Sequence, residues 1–213
     1  MSVTLITGQH QSGKSWRLWQ RLRAEPLGAA VLVRPTAGMP ADLVRQVHNW
    51  GGSGLLPPVW SFHQLCEQCA AGAEQLPAPC TLGWATHVLR AYATTQLRSN
   101  WAALGRYRAT GLELADLCLR LDAHGINEAD FSLVERMLRE RGDQVVVEHW
   151  RDVQKALAHL TTTAKKHNLA LPGARLRTLA TQAAMPKKSV IYIDDFQMFS
   201  PAELELLRAI GVS

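Results

Sequence analysis

No apolar run in the sequence approaches the roughly 18 residues that a membrane-crossing helix needs. The opening residues, MSVTLITGQHQSGKS, also lack the charged, apolar and small-residue order of a secretory signal. A soluble, cytoplasmic protein without a membrane partner is the expectation. Cysteine is scarce, with Cys66, Cys69, Cys80 and Cys118 the four in the chain. The first two make one CxxC with no second CxxC or His pair to complete it, which argues against a four-ligand zinc site. Cys66 and Cys69 lie three apart in the helical segment SFHQLCEQCAA, and packed, reduced core thiols are the expectation ahead of a cluster or redox role. Internal repeats at solenoid period and low-complexity tails are absent too.

What is present is an ordinary globular composition, 47% apolar over 213 residues, enough for one substantial domain or two small ones. A net charge of +5 suits a polyanionic partner but is common among proteins that bind none. Residues 2–7, SVTLIT, read as a short strand, followed by a Gly-rich loop and a helix from Lys14 to about Arg23. AAVLVRP, ending at Pro35, is a second apolar strand, with a helix predicted over 41–50. PPVWSF, reaching Phe62, is a third strand. SVIYIDDF is the strongest strand in the chain, and a helix follows with Ser200 as N-cap, Pro201 at its first position and Glu203 three residues past the cap. Trp16 and Trp19, three apart, are expected to pack on one face of the first helix.

Between the third and fourth strands, 82–184 reads almost wholly helical, broken near Gly105, Gly111, Gly125, Gly142 and Pro172-Gly173. The expected organisation is an α/β core over 1–81 and 185–213, with a parallel sheet, carrying a large helical insertion subdomain over 82–184. Within it Leu112, Leu114, Leu117, Leu119 and Leu121 recur as a buried bundle face.

Chemistry concentrates in Gly8-Gln9-His10-Gln11-Ser12-Gly13-Lys14-Ser15, the G-x-x-x-x-G-K-S pattern of a P-loop. Its glycines let successive backbone N–H groups curl around phosphate oxygens, and the next helix adds its dipole. Lys14 would reach the β and γ phosphates and the Ser15 hydroxyl would ligate Mg²⁺. Chance gives such an octet to about one chain of this length in a hundred, before the strand and helix context is counted. A P-loop also needs a carboxylate at the end of a buried strand. Asp194 fits the metal position and Asp195 the position that orients the attacking water, so Lys14 and Asp195 are the catalytic candidates.

The P-loop, VLVRPTAGMPADLVRQV, VWSFHQLCEQ and YIDDFQMFSPAELELL together resemble the first RecA-like domain of superfamily 1 helicases related to UvrD. The resemblance is strongest to the N-terminal part of AddB/RexB-type helicase-nuclease subunits. It implies a RecA-like P-loop NTPase core using ATP and Mg²⁺ in DNA repair or recombination. It also implies a single-stranded DNA path along Ser61-Phe62-His63-Gln64-Leu65, which matches a "TFHSL"-like segment, with Thr36 in an earlier DNA-facing loop. Phe62 could stack on an unpaired base or be plain core, and His63 could touch phosphate. Lys165-Lys166-His167 and Lys187-Lys188 are short basic runs of the kind that usually coat a surface. The second RecA-like domain and its arginine fingers are not in this sequence, so little hydrolysis or unwinding is expected without a protein partner that supplies them. A small-molecule or nucleotide kinase and a non-catalytic P-loop interaction module remain the alternatives.

Overall fold

A computed structural model of the chain describes residues 14–26, 29–35, 44–45, 48–49, 58–73, 76–104, 106–182, 190–194, 196 and 198–212. The protein is mixed α/β, with a small parallel sheet and a large helical part. By compactness it forms two units. The first comprises Met1–Glu74, Leu179–Phe199 and Leu206–Ser213; the second comprises Gln75–Thr178 and Ser200–Glu205.

In the first unit, helix α1 (Lys14–Ala24) leads to strand β1 (Ala30–Arg34), strand β2 (Val59–Ser61) and helix α2 (Phe62–Ala70). Strand β5 (Val190–Ile193) returns to the same sheet, in which the order of the described strands is β2-β1-β5, all parallel. All five residues of β1 are buried, as expected of a central strand with neighbours on both sides. Trp19 and Leu22 of α1 pack with Ala30 and Leu32, and Leu18, Val59 and Tyr192 close around them. The helix buries one stripe only: Trp19 is 2% exposed and Trp16 46%. The expected pairing of the two tryptophans therefore fails, because Leu18, Trp19 and Leu22 set the core-facing direction and Trp16 lies a turn earlier, off that stripe.

Strand β2 stops one residue short of the expected end. Ser61 is the N-cap of α2, its Oγ accepting from Gln64 N (3.1 Å) while its own N–H donates to Gln64 Oε1 (2.8 Å). This capping box ends the strand and makes Phe62 the first helical residue. Cys66 and Cys69 are buried on α2 as free thiols, and burial pushes Cys69 up to about 11. The expected strand at 2–7, the residues Gly8–Gly13, Thr36, Asp195 and the pair Lys187-Lys188 lie outside the described residues, as does most of 41–50.

The second unit holds strand β3 (Ala78–Pro79), helices α3 (Leu82–Gln96), α4 (Asn100–Leu104), α5 (Arg108–Ala123), α6 (Glu128–Glu140) and α7 (Gln144–Lys166), strand β4 (Leu169–Ala170) and the start of α8 (Pro172–Gln182). Its core joins Leu89 and Ala93 of α3, Leu114 and Cys118 of α5, Phe131 of α6 and Val153, Ala156 and Leu160 of α7. On α5 the buried stripe is Gly111, Leu114, Ala115, Cys118 and Asp122, at helical spacing. Of the expected leucine face, Leu114 is fully buried, Leu117, Leu119 and Leu121 flank the core, and Leu112 is exposed. Alternate leucines cannot share one side of a helix, and the small residues between them supply the close contact with α3. The last helix, α9 (Pro201–Val212), starts as expected: Ser200 Oγ accepts from Glu203 N (3.3 Å) and Ser200 N donates to Glu203 Oε2 (2.7 Å).

Candidate functional site

Two residues picked separately from the sequence meet in the first unit. Ser15 stands in the first turn of α1, and Asp194 is the residue after β5. The Ser15 hydroxyl donates to Asp194 Oδ1 at 3.0 Å, across a separation of 179 residues. The sheet and its covering helix make the contact: the backbone N–H of Asp194 donates to the Val33 carbonyl (3.0 Å), extending the β1–β5 ladder by one residue. A second bond ties the same two elements. Tyr192 of β5 donates its hydroxyl to Glu25 Oε1 (2.9 Å), just beyond the end of α1, and burial together with Glu25 holds the phenol above its ordinary pKa, so it stays a donor.

No protein-family model matches the chain, and no curated protein matches it. The site therefore rests on its own geometry. β1, β2 and β5 are parallel, so their carboxyl ends share one edge, where ligands gather in open α/β sheets. Asp194, Ser61 and Arg34 end the three strands there. The first turn of α1 carries no acidic residue of its own, while Arg21 and Arg23 occupy its last turn, an arrangement that suits the helix dipole and leaves the N-terminus open to an anion. A hydroxyl and a carboxylate form a hard-oxygen donor set of the type Mg²⁺ takes. Their 3.0 Å separation matches the spacing, about 2.9–3.0 Å, between adjacent oxygens of an octahedral ion with bonds of about 2.0–2.1 Å.

Lys14 begins α1, its side chain outside the described atoms. Of the DNA candidates, His63 is exposed on α2. Phe62 is half-buried in an aromatic group: its ring lies 6.1 Å from Phe196 and 6.3 Å from Phe199, which stack on each other at 4.6 Å. The segment after Asp194 is thus packed to the β2–α2 junction. Sequence reasoning passed over Phe196 and Phe199, whose spacing of three in DDFQMF was the available signal. It also passed over Arg34, signalled by a charge ending an otherwise apolar strand, and over the S-x-x-Q pattern at Ser61.

Lys165, Lys166 and His167 are exposed at the end of α7. Among the described residues, no helix is long and apolar enough to cross a membrane.

Proposed function

We propose that the chain is an ATP-binding, RecA-like P-loop domain of a UvrD-related helicase, of the AddB/RexB type, that works with single-stranded DNA in repair or recombination. The observation that supports this reading most is the Ser15–Asp194 hydrogen bond, because the P-loop pattern and the strand-end aspartate were chosen independently and the pattern requires them to be neighbours. In this reading the backbone of Gly8–Gly13 cradles the phosphates. Lys14 draws charge from the β and γ phosphates, and Ser15 and Asp194 hold Mg²⁺. When bound, Mg²⁺ supplies neutralisation of the phosphate oxygens. Asp195 orients the attacking water. Single-stranded DNA lies along the carboxyl edge of the sheet, by Thr36, Phe62 and His63, and a partner protein brings the second RecA-like domain.

The test is equilibrium ATP binding to the chain and to Lys14→Ala, followed by turnover with and without single-stranded DNA. Lys14→Ala is expected to abolish ATP binding while melting like the parent. The parent alone is expected to turn ATP over slower than about 1 s⁻¹, since an arginine finger contributes about 10³–10⁵ in rate. Turnover on a small acceptor would identify a kinase instead, and unchanged ATP affinity in Lys14→Ala would remove the P-loop assignment.

A further inference from the structure

The central strand ends in a buried charge. Ala30 and Leu32 of β1 pack with Trp19 and Leu22 of α1, and Val59 and Tyr192, the neighbours of Leu32 on either side, close on the same cluster. Side chains alternate faces along a strand, so Arg34, two residues beyond Leu32, belongs to the face that α1 covers. Its register partner on β2 is Ser61. On the other side the ladder runs from Val33–Ile193 to Asp194 through the Asp194 N–H to Val33 carbonyl bond. The row at the carboxyl edge therefore reads Ser61, Arg34, Asp194, and Ser15 reaches Asp194 from the α1 side. Arg34 is only 8% exposed. Burying a guanidinium is costly unless other groups compensate it, and a fifth apolar residue would finish this strand without that cost.

We propose that Arg34 is a positioning residue of the nucleotide site: from the neighbouring strand its guanidinium fixes the Asp194 carboxylate in the orientation that receives Mg²⁺ beside Ser15. The inference rests on the triphosphate reading above. Adjacent strands lie about 4.8 Å apart, well within an arginine's reach. The guanidinium is planar and always charged, and its fork of donors matches a carboxylate, so it restricts rotation as well as attracting. Outer groups of this kind orient metal ligands, and their loss typically costs 10–100-fold in metal affinity.

The experiment is titration of a fluorescent ATP analogue into the full chain, with Mg²⁺ and with EDTA, for the parent, Arg34→Met and Arg34→Lys, each checked by thermal melting. In the parent, Mg²⁺ is expected to tighten binding. In Arg34→Met the ratio of the two affinities is expected to fall about 10–100-fold. Arg34→Lys should recover part of it, because lysine restores the charge without the fork. A full Mg²⁺ enhancement in Arg34→Met overturns the proposal. If that variant does not fold, Arg34→Lys decides alone, and a ratio equal to the parent's overturns it. A parent that binds the analogue through Lys14 with no Mg²⁺ effect overturns the role of Arg34 and leaves the P-loop standing. A parent that binds no analogue under either condition removes both.

Discussion

Asp152 on α7 is 2% exposed and accepts hydrogen bonds from the backbone N–H groups of Arg98 (2.9 Å) and Ser99 (2.8 Å), with Lys155 Nζ at 3.3 Å. Burial pushes its pKa up, but the donors of Ser99, Arg98 and Lys155 outweigh burial and hold the carboxyl below its usual value. A depressed folded pKa means that the group stabilises the fold fully above its unfolded value, near 3.8, and that this contribution is lost as pH falls through the folded pKa. Asp152→Asn is expected to cost about 1–2 kcal/mol near neutral pH. Denaturant titrations should show the gap between parent and variant closing below about pH 4; a gap independent of pH down to 2 would contradict the assignment. Individual residues of this kind were the least legible in the sequence. Nothing local marks Asp152 as a cap for residues more than fifty positions away. Trp16 and Trp19 look equivalent until the sheet selects one direction on α1. Phe62 was open between stacking and core, and its neighbours Phe196 and Phe199 come from the far end of the chain.

The start of α8 is fixed by another element. Asp122, near the end of α5, accepts from Gly173 N (2.7 Å) and Ala174 N (3.2 Å) through Oδ2 and pairs through Oδ1 with Arg177 Nη2 (2.8 Å). Arg177 Nη1 also donates to the Asp122 carbonyl (2.9 Å). A remote carboxylate thus does the work of an N-cap. It requires close approach: a Cβ on Gly173 would stand 2.5 Å from the Asp122 carbonyl oxygen and 2.6 Å from Ala123 Cα. Because backbone would have to move, Gly173→Ala is expected to destabilise by about 2–3 kcal/mol, and Asp122→Ala by about 3–5 kcal/mol, since it strands a buried partner. Urea denaturation checks both, and an unchanged midpoint for Gly173→Ala would refute the packing argument. At this scale the sequence was informative. β1, β5, α1 and the capped α9 were visible from apolar runs and cap residues, because those signals are local. β3 and β4 were not, since each spans two residues and the pairing is long-range.

For the whole molecule, the readable part of the site is what one edge of a parallel sheet brings together. The P-loop pattern and the strand-end aspartate could be named from the sequence because each is a short motif, whereas Arg34 became visible only once the register β2-β1-β5 set its neighbours. If DNA follows that edge, binding should be weak and salt-sensitive, because one domain offers few phosphate contacts. His63→Ala, at an exposed position, should weaken binding of a labelled single-stranded oligonucleotide without lowering the melting temperature, whereas Phe62→Ala should lower both. An unchanged oligonucleotide affinity in His63→Ala would exclude that residue from the path. The central claim is that Ser15 and Asp194 form the metal end of a triphosphate site. Calorimetric titration of ATP with Mg²⁺ into the parent, Ser15→Ala, Asp194→Asn and the double variant tests it most directly. Groups that hold one ion act as a unit, so each single substitution is expected to weaken binding almost as much as both together. Single losses that simply add, or variants that bind ATP and Mg²⁺ as tightly as the parent, would contradict it.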